Sequence, residues 1–300
     1  MRDRGWVVWD RGMTIVRETP AVGGLELVAA RLAEWQVDDG PVQLHPGDLG
    51  WFWRFGVERT AGAVRTWARD GEILAIGMLD EPDLLRLAIA PQAHGDEELA
   101  RQIVADAVDP EEGVLIAGKV YLEAPMESRV RDLLFLEGWD ADDPWQPLER
   151  DLAEPVEDCG LAIEIVTAET AAERTAIQRA SFDGSTFTDE RWHAMADGTP
   201  YARARCLIGR DARGAAVGAV TVWSAGKGRP GLIEPLGVVR EHRGRGYGRA
   251  MTVAGAAALR ELGASRAQVL TPCTNEGAVA TYRSAGFALL PQRRDQYRKE

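Results

Sequence analysis

Residues 236–251 read LGVVREHRGRGYGRAM. An apolar, strand-like run at 236–239 gives way to Gly244, Gly246 and Gly248, which alternate with Arg245, Tyr247 and Arg249 before a helical pattern begins. A glycine has no Cβ, so its backbone N–H can approach an anion closely. The start of a helix adds unpaired N–H groups and the positive end of its dipole. Arg243, Arg245 and Arg249 add charge that pairs with phosphate. The stretch reads as a pyrophosphate cradle at a strand-to-helix turn, or as a flexible glycine turn with surface arginines. It is not G-x-G-x-x-G, so the dinucleotide fingerprint fails. It has no G-K-S/T, so the P-loop fails too.

Working outward, residues 161–166 alternate like a strand and 170–182 have helical spacing with Thr170 as cap. A short helix is expected over 188–196. Residues 203–209 and 215–223 flank the turn DARG as a hairpin, and 232–239 read as a further strand. The long helix 246–262 is closed by Gly263, the residue favoured just past a helix end. A strand at 267–270, a helix at 275–285 followed by Gly286, and a last strand near 296–299 complete the pattern, an α+β or α/β layer. Before this block, residues 151–160 (DLAEPVEDCG) are acidic and carry Pro155 and Gly160, the signature of a linker.

The helix at 275–285 carries the second decisive pattern, N-x-x-A-x-x-x-Y-x-x-x-G-F, as Asn275, Ala278, Tyr282, Gly286 and Phe287. With Arg243, Gly246 and Gly248 as R/Q-x-x-G-x-G/A, the two patterns in this order resemble the GNAT N-acetyltransferase superfamily over residues 160–300. The length and layout are similar to those of two-domain members such as mycothiol synthase. The resemblance implies two tandem GNAT-like domains in an α/β (α+β) chain, each a mixed, mostly antiparallel sheet flanked by helices. It implies acetyl-CoA as acyl donor, inserted in a split of the sheet. Leu236, Gly237 and Val238 would hold the pantetheine arm. Arg243, Gly244, Arg245, Gly246, Tyr247, Gly248 and Arg249 would hold the pyrophosphate, with Asn275 and Tyr282 beside the cofactor. Tyr282 is then the candidate general acid for the leaving thiolate, or a tyrosine that only packs on the cofactor.

The general base is harder to place. Glu234 is the one acid on its strand, and period-two alternation puts it on one face with Leu232 and Leu236. It reads as base or amine ligand, or as a plain salt-bridge residue. His242, His193 and Asp183 are reserves, and Cys273 reads as packing because no base partner accompanies it.

The first half repeats the second in outline. Leu87-Ala88-Ile89 aligns with Leu236-Gly237-Val238, His94-Gly95 with Arg243-Gly244, and Gly138-Trp139 falls near Gly286-Phe287 with one residue of slippage, as expected of duplication, the alternative being two unrelated α/β domains. At the cradle position, however, residues 94–100 read HGDEELA, and three carboxylates repel a pyrophosphate. The tyrosine position falls on Leu134 and the asparagine position on Glu127. Residues 1–153 are therefore expected to be a degenerate GNAT-like domain without cofactor, and 160–300 the acetyl-CoA-binding domain. The stretch HPGDLG at 45–50 reads as a loop. Eight of the ten tryptophans precede residue 150 and read as core or interface material, with a substrate-lining role as the sharper alternative.

Composition sets the remaining bounds. Residues 1–155 hold 15 Lys+Arg against 31 Asp+Glu (−16) and residues 156–300 hold 20 against 16 (+4), which sum to the net −12. An acidic first half speaks against nucleic-acid binding. Three scattered cysteines speak against a disulfide framework or a metal site. The start, MRDRGWVVWDRG, has no apolar stretch of secretion-signal length, and no run of ~18 apolar residues suits a membrane span. These features point to a cytoplasmic protein, while the resemblance implies a small-molecule amine as acceptor and a monomer whose two domains act as a built-in dimer. The alternative is a non-catalytic acyl-CoA-binding or regulatory protein.

Overall fold

The computed structural model describes residues 14–299. The reading of the first twelve residues lies outside this range. The first half runs β1 (Val16–Glu18), α1 (Leu25–Glu34), α2 (Pro46–Phe52), α3 (Val57–Ala63), β2 (Val64–Arg69), β3 (Glu72–Glu81), β4 (Leu84–Ile89), α4 (Glu97–Val108), β5 (Val120–Glu123), α5 (Arg129–Leu136) and β6 (Asp140–Asp151). The second runs β7 (Ala162–Ile165), α6 (Ala171–Ser181), α7 (Asp189–Ala196), β8 (Ala204–Arg210), β9 (Ala216–Ser224), β10 (Gly231–Val238), α8 (Tyr247–Glu261), β11 (Arg266–Pro272), α9 (Glu276–Ser284), β12 (Ala288–Leu289) and β13 (Arg293–Arg298). From β4 and β10 onward the halves show the same order of strand, helix, strand, helix, strand. The repeat extends to single bonds: Trp139 N–H donates to Leu134 C=O at 3.0 Å, and Phe287 N–H to Tyr282 C=O at 3.1 Å. Gly138 and Gly286 share φ values of 83° and 84°, the left-handed region that only glycine enters freely.

One continuous sheet joins the halves, in the order β1-β2-β3-β4-β5-β13-β6-β11-β10-β9-β8-β7. Each half lends a strand to the other. The C-terminal β13 lies between β5 and β6 of the first half, and residues 145–151 of β6 pair with β11 of the second. Only β4/β5 and β10/β11 are parallel, and both pairs separate after two or three residues. Parallel neighbours need a crossover, here α4 and α8.

One core fills the first half around Trp67, Ile76 and Leu87. The second half has a core on each face of its sheet, one under α8 with Met251 and Val253, the other under α6 and α7 with Trp192 and Trp223. Between the halves lies α2, the segment read as a loop from HPGDLG. His45 caps it: Nδ1 accepts from Gly47 N–H at 2.9 Å, while Asp48 accepts from His45 N–H at 2.7 Å. Such a reciprocal cap with Pro46 in the first turn starts a helix in spite of two glycines. The glycines are needed because the helix lies on Trp223 of the second half. A Cβ on Gly50 would come within 2.4 Å of the indole.

Candidate active site

A cavity of about 920 Å³ opens along the splay between β10 and β11 and runs to the seam between the halves. Pairing of β10 with β11 stops at Leu232↔Gln268, so from residue 233 onward the edge of β10 faces the gap instead of a ladder partner. The glycine turn forms one end. Gly244 and Gly246 have φ of 74° and 83°, with open space where a Cβ would stand. Gly246 is the N-cap of α8 and offers no side chain of its own, which leaves the first N–H groups of that helix for a ligand. Arg243, Gly244, Gly246, Gly248 and Arg249 line this end. Arg245 and Tyr247 do not line it. Arg243 is braced by Ser181 C=O (2.6 Å) and Arg249 by Ser284 C=O (2.9 Å). Asn275 lines the opposite wall, where its side chain accepts from Ala278 N–H at 3.2 Å and caps α9.

Tyr282 and Glu234 both line the cavity, near the seam. Tyr282 is 9% exposed, and among the described residues its hydroxyl has no hydrogen-bond partner. Burial and the nearby Glu234 push that hydroxyl up to about 12. Glu234 sits in a bulge. Ile233 faces Val222 and Leu236 faces Val220, so β10 carries one residue more than β9 there. The extra residue breaks the alternation expected from sequence. Leu232 packs in the core under α6 and α7, whereas Leu236 packs against the core under α8, on the other face. Burial, then the carboxyl of Asp48, push Glu234 up to about 8. A carboxyl poised near neutrality in a cleft suits proton transfer.

The first half supplies much of the rest of this end. Arg86 on β4 donates to Glu123 (2.8 Å) and Asp48 (2.9 Å) and faces Asp80 at 3.6 Å. Arg293 on the exchanged β13 pairs with Glu123 (3.1 Å) and Asp295 (2.9 Å). Burial pushes Glu123 up, but Arg293 and Arg86 outweigh it and hold the carboxyl below its usual range. Burial raises Asp80, and raises Asp295 to about 6. Apart from Glu234, the sequence singled out none of these residues. Of the first half's tryptophans, Trp145 lines the cavity, while Trp67 is core and Trp51 stacks on Phe187 across the halves at 5.4 Å.

The reserve residues lie elsewhere. Asp183 pairs with Arg240, His193 rests on Trp192, and His242 stands 6.1 Å from the Tyr247 ring. Cys273 does not line the cavity; its N–H bonds to Pro144 C=O.

At the equivalent place in the first half the gap is filled. Leu44 N–H donates to Leu87 C=O at 3.2 Å, and Gln43 accepts from Ile89 N–H at 3.0 Å, so residues 43–44 take up the strand edge that β10 leaves free. The turn before α4 carries Asp96 as its cap, bound to Leu99 N–H and to Arg69. Ser128, one residue past the expected Glu127, holds the cap position of α5.

Residues 170–287 match the family model described as Acetyltransferase (GNAT) family. The chain carries a GNAT acetyltransferase domain. The whole fold extends the likeness beyond that segment. A tandem GNAT protein from the clavulanic acid biosynthesis pathway, solved without AcCoA, superposes with a TM-score of 0.62 at 14% identity, over 95% of this chain and 98% of that one. A GCN5-related N-acetyltransferase from Sphaerobacter thermophilus gives 0.56 at 16% identity, over 95% of both chains. A GNAT-family acetyltransferase from Colwellia psychrerythraea gives 0.57 at 13%, over 96% and 100%. No curated protein matches in sequence. At these identities the likeness to the solved structures is one of fold, and the family assignment rests on residues 170–287. No helix of the described residues is long and apolar enough to cross a membrane.

Proposed function

We propose that the chain is an N-acetyltransferase that moves an acetyl group from acetyl-CoA to a small-molecule amine in a ternary complex. The observation that carries this is the single cavity that places an open helix start and two arginines at one end, and Glu234 with the unpartnered Tyr282 hydroxyl at the other. The donor supplies the acetyl group as a thioester. The residues present fit it. Gly244 and Gly246 leave room for a pyrophosphate, Gly248 lets α8 lie close to Thr281 of α9, Arg243 and Arg249 match the charge, and the free edge of β10 at Leu236, Gly237 and Val238 offers hydrogen bonds to an extended arm.

Glu234, when ionised, accepts the proton of the attacking amine. Tyr282 gives its hydroxyl proton to the departing sulfur, and the proton held on Glu234 returns to the phenolate through the cavity. The balance is one N–C bond formed, one C–S bond broken, and one proton passed from nitrogen to sulfur. Residues 1–153 take no second donor in this reading, because residues 43–44 and the Asp96 turn fill the corresponding site. The chain then works as a monomer whose halves stand where two subunits would, and it needs no metal. Calorimetric titration with acetyl-CoA, followed by CoA release with an amine panel, tests the proposal. One molar equivalent bound and amine-dependent CoA release support it. Tight binding with no release across the panel supports the non-catalytic acyl-CoA-binding alternative instead.

A further inference from the structure

The seam end of the cavity holds more negative than positive charge. Five carboxyls gather there: Asp48, Asp80, Glu123, Glu234 and Asp295. Three guanidiniums stand against them. Arg86 engages Asp48, Glu123 and Asp80, and Arg293 engages Glu123 and Asp295. Arg54 lies behind, stacked at 4.4 Å on Trp51 and 4.2 Å on Phe55, within electrostatic reach of Asp80 and Glu234. With every group ionised the end would carry a surplus of two negative charges, and with Glu234 protonated, its prevailing state near neutrality, a surplus of one.

The surplus is not spread evenly. Asp48 and Glu123 are held by short bonds to Arg86, and Asp295 by its bond to Arg293. Glu234 has no ion pair among the described residues and instead shares a hydrogen bond with the Asp48 carboxyl. Asp80 has only Arg86 at 3.6 Å, beyond a hydrogen bond, and its side chain is the most accessible of the ion-paired carboxyls at 30%. Burying charge without a partner is unfavourable, so a cavity built this way is completed by a cation. A metal ion does not suit it: among the described residues no group of three or more His, Cys, Asp or Glu could hold one. The side chain of Tyr282, only 9% exposed, carries an unpartnered hydroxyl that opens on the same space, an independent sign that a ligand with a hydrogen-bonding group belongs there.

We propose that the acceptor is a small amine with two positive charges, a diamine or short polyamine, whose reacting nitrogen lies between Glu234 and Tyr282 and whose second ammonium lies against Asp80. This rests on the acetyltransferase reading and names its substrate class. It also gives the first half a part in acceptor binding, since Asp80, on β3, supplies a contact that the second half lacks. A carboxylate on the acceptor is disfavoured, because the two guanidiniums that line the seam end, Arg86 and Arg293, are already engaged by acids.

The test compares 1,4-diaminobutane, butylamine and 4-aminobutanoate as acceptors, with CoA release as readout, for the wild type and Asp80→Asn. The expected order in kcat/KM is diamine over monoamine by about tenfold or more, with the amino acid last. Asp80→Asn is expected to bring the diamine-to-monoamine ratio close to one, mainly through KM for the diamine. A ratio unchanged by the variant, or a preference for the monoamine or the amino acid, overturns the proposal. If no amine is turned over, calorimetry of 1,4-diaminobutane with the CoA-loaded protein separates the two readings. Binding that Asp80→Asn weakens keeps the acceptor site and refutes the chemistry, whereas no binding refutes the acceptor site.

Discussion

Replacing Glu234 by Gln tests the proton path directly. Burial and Asp48 push the carboxyl up to about 8. At pH 7 it is then about one-tenth ionised and at pH 9 about nine-tenths, so a base that works only when ionised gains about tenfold in kcat/KM across that interval. The acceptor's own ammonium titrates in the same range. The quantity to read is therefore the ratio of wild type to Glu234→Gln at each pH, in which the substrate's titration cancels. That ratio is expected to climb about tenfold from pH 7 to 9 and then level off, at about 10²–10⁴ in favour of the wild type.

Stability gives an independent check with a definite sign. The unfolded chain releases this proton near 4.5 and the folded chain holds it to about 8, so between those values the unfolded state binds fewer protons and stability falls as pH rises. At about 1.4 kcal/mol per unit, the shift sets an upper bound of roughly 5 kcal/mol. Glutamine stays neutral, so the variant should melt several degrees above the wild type at pH 9 and near it at pH 5. A ratio independent of pH, or a thermal advantage confined to acid, would falsify the assignment of Glu234.

Three further outcomes follow from the geometry. Gly246→Glu places a charge and a strained φ of 83° at the cap of α8, so calorimetry should show one acetyl-CoA per wild-type chain and none for the variant; two equivalents on the wild type would contradict the closed first half. Tyr282→Phe removes a hydroxyl that no protein group uses, so kcat should fall about 10²-fold while acetyl-CoA affinity and Tm hold, and an unchanged kcat would leave the tyrosine a packing residue. Gly50→Ala improves helix propensity but drives a methyl into Trp223, so Tm should drop by the equivalent of about 1–3 kcal/mol; a rise would mean that α2 does not bear on Trp223.

The glycine-turn end of the cavity was legible because its physics is local. A strand end, three glycines and a helix start fall within sixteen residues, and Gly263 and Gly286 mark helix ends by the positive φ values that the structure shows. The seam end was not legible, because its residues come from positions 48, 80, 86, 123, 234, 293 and 295 and meet only in the folded chain. Alternation failed at Glu234 because a bulge inserts one residue, which no composition signal announces. HPGDLG misled because its glycines lower helix propensity, while the cap that starts the helix uses a histidine where serine, threonine or aspartate is usual. Pairing the last strand with the first half had no local signature at all.

That exchanged strand decides how the chain can be divided. β13 contributes Arg293 and Asp295 to the cavity while bonded to β5 and β6, and β6 in turn bonds to β11. Removing either partner exposes two strand edges at the middle of the sheet, each a row of unpaired N–H and C=O groups. The covalent link between the halves is by contrast only residues 152–161, between β6 and β7. Cleavage at a protease site introduced near Asp158 should therefore leave the halves associated through gel filtration under native conditions, with a single melting transition and with donor binding intact. Separate expression of 1–153 should give an unfolded or aggregating fragment, since its sheet ends where β13 belongs. If the nicked halves part without denaturant, the strand exchange does not hold the molecule together, and the acceptor end, which depends on residues from both sides of the cut, has to be assigned anew.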